Sequence, residues 1–317
     1  MAANSEKFPS FSLSTPNTQF DVGVFGSSTD EALPPPPPCV EVFVSEMSVS
    51  SASLSSTAKY TAETVNVDAD LTLLKGRVST QEVFTLANSD LVPGKYEGGL
   101  KLWEGSFDLI KTLQSEIKDG ELCVKGKRIL ELGCGHGLPG IFTCLEGAAV
   151  VHLQDFNAEV LRCLTIPNVS ANLSKESQQP SVTNETETNI QADVRYFAGD
   201  WSEIHQLLPY ACKTEYQLSP NLRDEQESCD GYDVILMAET VYSISSLKNL
   251  YELMQKCLSR PNGIVYLAAK KHYFGVGGGT RQFLSVVERE GAMAAKMIAE
   301  VANGSSNVRE VWKFSFK

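Results

Sequence analysis

The spacing of apolar residues changes period repeatedly along this chain, and each change marks an element. Short unbroken apolar runs lie at Ile129–Leu132, Val150–Leu153, Val194–Ala198, Tyr232–Ala238 and Ile264–Ala269. Such runs predict strands of a sheet covered on both faces. Between them the apolar positions recur at helical spacing. Leu102, Phe107, Ile110 and Leu113 predict one helix, and further helices are predicted over 138–147, 157–173, 245–259 and 281–290. The third of these is expected to break at Pro167. The last two runs, Met293–Val301 and Val308–Phe316, flank an Asn303-Gly304 turn, with Trp312, Phe314 and Phe316 alternating on one face. That pattern predicts a hairpin. Five strand–helix alternations closed by two strands predict an α/β fold, a Rossmann-like parallel sheet of seven strands finished by an antiparallel hairpin.

Two polar stretches, 174–193 and 209–231, carry no periodicity and are expected to be surface insertions. Composition changes the picture most at the N-terminus. Pro34 to Pro38 are five consecutive prolines, and seven serines fall between Ser45 and Ser56. Such a segment buries too little apolar surface to offset its ordering entropy. Residues 1–75 are therefore expected to be a disordered Pro/Ser-rich tail, with the patch Val40–Val44 as an isolated hydrophobic cluster, and 76–317 to form the globular domain.

Charge and cysteine usage narrow the class. A net charge of −12 excludes a general nucleic-acid binder, which needs a basic face, and suits a basic protein partner. No apolar run reaches 18 residues, so no membrane span is expected. The N-terminus lacks the basic and apolar regions of a secretory signal. Eight cysteines without a C-x-x-C pair and only four histidines predict reduced thiols, a cytoplasmic and nuclear location, and no metal site.

Candidate chemistry starts at KRILELGCGHGLPG, Lys127 to Gly140. A strand that feeds a glycine turn and then a helix places backbone N–H groups beside a ligand, and glycines let that ligand approach the backbone. Gly133, Gly135, Gly137 and Gly140 alone fit either a dinucleotide or S-adenosylmethionine. Glu131 favours the second, because a carboxylate repels a pyrophosphate and attracts an ammonium or sulfonium group. Gln154-Asp155-Phe156 ends the second strand about twenty residues on, where a carboxylate can accept ribose hydroxyls. Gly199-Asp200-Trp201 ends the third strand and can hold an adenine. Glu239-Thr-Val-Tyr242 follows the fourth, and Lys270–Thr280 is a glycine-rich loop containing His272.

The strings PGKYEGGLKLWE (93–104), LELGCGHGLPG (130–140), VHLQDFNAEVL (151–161), TIPNVSAN (165–172), GDWSE (199–203), AETVY (238–242) and KKHYFGVGGG (270–279) resemble the protein-histidine N-methyltransferases. These are seven-strand enzymes that methylate a histidine of a large-subunit ribosomal protein. The resemblance runs from about residue 85 to the C-terminus. It implies an S-adenosylmethionine cofactor held by Trp103, Glu104, Glu131, Gly133, Gly135, Gln154, Asp155, Phe156, Gly199, Asp200, Trp201 and Ala238. Ala238 stands where a serine is expected before Glu-Thr, so a hydroxyl contact is missing there. It also implies a basic ribosomal-protein partner, no direct nucleic-acid contact, no membrane, and a role in ribosome biogenesis or translation.

Methyl transfer is an in-line displacement, so the enzyme chiefly positions a lone pair. A lysine acceptor, with pKa about 10.4, would lose a proton at a cost of ~4 kcal/mol near neutrality, whereas histidine near 6.5 is already mostly neutral. The site then needs an acceptor for the far imidazole N–H. Glu239 or Tyr242 is expected to supply it, and His272 is a further active-site candidate. Two alternatives remain open at this point: a protein-lysine methyltransferase of the same fold, and a non-catalytic ribosome-assembly factor.

Overall fold

A computed structural model describes residues 35–45, 60–86, 89–174, 192–211, 231–302, 304 and 307–317. Its main sheet has eight strands: β1 (Val40–Val42), β4 (Arg128–Leu132), β5 (Val150–Asp155), β6 (Asp193–Ala198), β7 (Val234–Ala238), β8 (Ile264–Lys270), β9 (Met293–Val301) and β10 (Arg309–Phe316). The order is β1-β6-β5-β4-β7-β8-β10-β9. Strands β6, β5, β4, β7 and β8 are mutually parallel, and β10 and β9 close one edge antiparallel, as the sequence pattern predicts. The strand order turns back at β4 and opens a crevice at the carboxyl ends, where ligands of such sheets bind.

Strand alternation sorts the central residues onto two covered faces. Ile129, Val151 and Leu236 face helices α2 (Gly105–Lys118), α3 (Leu138–Leu145) and α5 (Ile166–Leu173), meeting Leu109, Ile110, Phe142 and Ile166. Leu130, Leu132, Ile235 and Met237 face α6 (Leu247–Cys257) and α7 (Thr280–Glu290), meeting Leu250, Met254, Phe283 and Val287. Every strand between β6 and β8 is thus buried on both sides, which is why its sequence is apolar without alternation.

Three differences from the sequence reading stand out. First, β1 pairs antiparallel with β6 and adds an eighth strand inside the segment expected to be tail. Val42 is buried, and Glu41 holds the Arg195 guanidinium through two bonds of 2.8 and 2.7 Å. Its three residues are too few to show a period. Second, β2 (Thr61–Asn66) and β3 (Thr72–Arg77) form a separate hairpin that starts within 1–75 and runs just past it, followed by the short helix α1 (Thr80–Phe84). Its order comes from elsewhere in the chain: Asn168 accepts from the Gly76 N–H at 2.6 Å, and Asn172 both accepts from and donates to Leu74. Third, Pro167 does not break its helix. Ala158–Val160 (α4) passes into a π-helical turn, Leu161–Thr165, which realigns the chain so that Pro167 falls in the first turn of α5, where no N–H is needed. The cores of the two polar insertions and most of the Pro/Ser-rich tail lie outside the described residues.

Candidate active site

The carboxyl ends of β4, β5, β6 and β7 bring together the glycine loop, Asp155, Gly199–Trp201 and Glu239–Tyr242. The loop needs its glycines. Gly133 and Gly135 adopt φ of +61° and +49°, in the left-handed region. A Cβ on Gly135 would stand 2.9 Å from the Gly99 carbonyl oxygen, and one on Gly133 2.9 Å from Thr240 Cγ2.

Side chains of β5 hold the loop from beneath. The Gly135 N–H donates to Asp155 Oδ2 at 2.9 Å, and the Asn157 N–H to Oδ1 at 3.0 Å. Gln154 Oε1 accepts from Trp201 Nε1 at 2.9 Å and from the Gly133 N–H at 3.3 Å, while its Nε2 donates to the Gly199 carbonyl at 2.9 Å. Gln154 thus ties glycine loop, Trp201 and the end of β6 into one wall. Burial pushes the Asp155 carboxyl up to about 6, backbone N–H groups opposing it.

Glu131 lies on the face of β4 that meets α3, and its Oε2 accepts from the Gly140 N–H at 2.7 Å. Burial pushes this carboxyl up to about 8. A donor at the start of α3 that could serve a phosphate is therefore occupied by an acid. Thr240 Oγ1, beside Gly133, is buried without a hydrogen-bond partner among the described residues.

Glu239 is one of two non-glycine residues with positive φ among the described residues, at +60°. Such strain persists only where the surroundings enforce it. The Glu239 N–H donates to the Ala268 carbonyl at 2.8 Å, its Oε1 accepts from the Gly105 N–H at 3.2 Å, and its Oε2 accepts from the Tyr273 hydroxyl. Burial raises its pKa, with Tyr273, Lys270 and Arg309 opposing. Tyr242 instead donates to Glu97 Oε2, and Glu97 Oε1 accepts from the Gly94 N–H at 2.7 Å. Burial and the Glu97 carboxylate push the Tyr242 phenol upward, so it stays protonated. The Tyr242 and Tyr273 rings meet edge to face at 6.5 Å. Both loops are braced together, since the Gly278 and Gly279 N–H groups donate to the Tyr242 and Val241 carbonyls.

Not every expected residue joins this network. Glu104 pairs with Arg309 at 2.7 Å, and that arginine also holds the buried Asp108 and draws the start of α2 onto β10. His272 is exposed, and Tyr273, the next residue, turns inward in its place. Asp200 accepts from the Ser202 N–H and hydroxyl, closing its own turn. Trp103 donates to the Gly98 carbonyl at 3.1 Å, with Lys101 Nζ 4.5 Å from its ring centroid. Phe156 and Ala238 are half-buried at the ends of β5 and β7. The sequence reading missed Glu97 and Tyr273, whose only signal was their place inside two strings of the family resemblance.

No protein-family model matches the chain. It is 38% identical over 232 residues to a histidine protein methyltransferase 1 homolog of Dictyostelium discoideum, covering 73% of this chain and 62% of that protein. It is 36% identical over 226 residues to the homolog of Rattus norvegicus, covering 69% of this chain and 57% of that one. The chain thus spans about three fifths of the length of these curated relatives. Among solved structures, magnesium protoporphyrin IX methyltransferase from Synechocystis PCC 6803 with bound SAM aligns with TM-score 0.40 at 10% identity, over 67% of this chain and 79% of that chain.

Proposed function

From this kinship with histidine protein methyltransferases, we propose that the chain transfers a methyl group from S-adenosylmethionine to a histidine imidazole nitrogen of a protein, in a cytoplasmic or nuclear setting. The observation that carries the cofactor is the pair of buried acids at the glycine loop. Glu131 and Asp155 are raised to about 8 and about 6 because burial leaves them without a cation. A sulfonium and an ammonium group supply that missing charge and favour the ionised acids, whereas a pyrophosphate would hold these carboxyls protonated and meet an occupied helix N-terminus. The unpartnered Thr240 hydroxyl beside Gly133 offers a further polar contact.

When bound, S-adenosylmethionine supplies an electrophilic methyl carbon. Asp155 keeps lone pairs beyond those used by Gly135 and Asn157, and would accept the ribose hydroxyls. Trp201, fixed by Gln154, would form the wall against the adenine. The substrate proposed is a basic large-subunit ribosomal protein, which the net charge of −12 and the family resemblance both favour. Calorimetry tests the cofactor: micromolar-range binding of S-adenosylmethionine is expected, with NAD showing none. Tight NAD binding without a response to S-adenosylmethionine would overturn the reading.

A further inference from the structure

The proposed reaction needs one group beside the cofactor that accepts the far N–H of the imidazole and tolerates the positive charge the ring acquires. Two carboxylate–tyrosine pairs border the crevice, Glu239 with Tyr273 and Glu97 with Tyr242. They differ in access and in surrounding charge.

Glu239 is 6% exposed, sits under the N-terminus of α2 through the Gly105 N–H, and has the cations Lys270 and Arg309 close by. Its negative charge is already offset, and its strained backbone braces the junction of β7, β8 and the 270–279 loop. Glu97 is half-buried, and its bonded partners are neutral, the Gly94 N–H and the Tyr242 hydroxyl. No lysine or arginine lies within ion-pair distance of it among the described residues. Its own N–H donates to Asn157 Oδ1, which fixes it beside Asp155. Gly99, two residues on, leaves so little room that a Cβ there would stand 3.0 Å from Asp155 Oδ2. Glu97 therefore stands at the cofactor crevice, accessible and with its charge not offset.

We propose that Glu97, held by Tyr242 and the Gly94 N–H, is the catalytic residue that accepts the far imidazole N–H of the substrate histidine. This rests on the reading of the chain as a protein-histidine methyltransferase. The attacking nitrogen forms its bond to the methyl carbon as the carbon–sulfur bond breaks, and the sulfur keeps that electron pair as a neutral thioether. The positive charge passes to the imidazole ring. Glu97 holds its N–H in place during attack, and the extra proton leaves to water. Because the acceptor fixes which nitrogen keeps the proton, it also fixes which nitrogen is methylated.

The test is methyl transfer to proteins extracted from large ribosomal subunits of cells lacking this chain, with the two methylhistidine isomers separated after acid hydrolysis. Glu97→Ala is expected to lower turnover by about 100-fold, the scale of losing an oriented charged acceptor. Its residual product should divide between both ring nitrogens, while S-adenosylhomocysteine affinity and melting temperature stay close to wild type. Glu97→Gln keeps an acceptor oxygen, so it should retain one isomer with a loss of only about 10-fold. Turnover near wild type in Glu97→Ala, or a loss matched by loss of cofactor affinity, overturns the assignment. A single isomer from Glu97→Ala also overturns it. Wild-type protein that makes no methylhistidine overturns instead the functional reading on which the assignment rests.

Discussion

At the residue scale, Asp155 and Glu131 make separable predictions. Asp155→Ala is expected to weaken S-adenosylmethionine binding by about 1.5–3 kcal/mol, the range for hydrogen bonds to a charged group, as calorimetry would show. Glu131 also governs stability in the ligand-free protein. Its folded pKa, about 8, lies above the ordinary carboxylate value, so the folded form keeps a proton the unfolded chain has lost, and stability falls as pH rises toward 8. The same sign holds for Asp155 only up to about pH 6. Buried His136 and His152, lowered to about 4, act oppositely and lose stability as pH falls below their ordinary value. Ligand-free protein should therefore be most stable near pH 6.5 and decline by at most about 2 kcal/mol toward pH 8, one proton's linkage. Denaturant unfolding of Glu131→Gln should show that decline removed. A decline unchanged in the variant would place its origin elsewhere.

Residues differ in how far their sequence reveals them. Gly133, Gly135 and Asp155 were legible because their relation is local, a strand, a turn and the next strand's end. Glu97 and Tyr273 were not, because each earns its place through a partner 145 or 34 residues away. The Glu104 partner Arg309 was equally hidden, lying 205 residues on.

At the element scale, the five parallel strands were readable as unbroken apolar runs, and the closing hairpin because its strands are long and flank a turn. The three-residue β1 was not, nor was the β2–β3 hairpin, whose order depends on Asn168 and Asn172. The edge strand carries its own prediction. β1 buries Val42 and sets Cys39 against Gly199 at the end of β6. Deleting residues up to Val44 should cost about 2 kcal/mol or more, mainly the burial of Val42, and lower the melting temperature. An unchanged melting temperature would show that β1 contributes nothing. In the glycine loop, Gly135→Ala should abolish cofactor binding in calorimetry, because its φ of +49° and the Gly99 carbonyl at 2.9 Å leave no room for a methyl group.

At the scale of the whole molecule, a chain of net charge −12 sets two buried acids, Glu131 and Asp155, beside the glycine loop, where the proposed cofactor would bring positive charge. Binding should accordingly favour the sulfonium cofactor over its neutral thioether product increasingly as pH rises from 6 to 8, while Glu131 ionises. The central claim, that the accepting side chain is a histidine, is tested most directly by labelled methyl transfer to a histidine-bearing ribosomal-protein segment. The same segment is compared after His→Ala and after Lys→Arg substitution, across pH. The account predicts that label disappears with His→Ala and survives Lys→Arg, with the rate falling below about pH 6.5 as the acceptor imidazole protonates. Label retained after His→Ala but lost after Lys→Arg would contradict it.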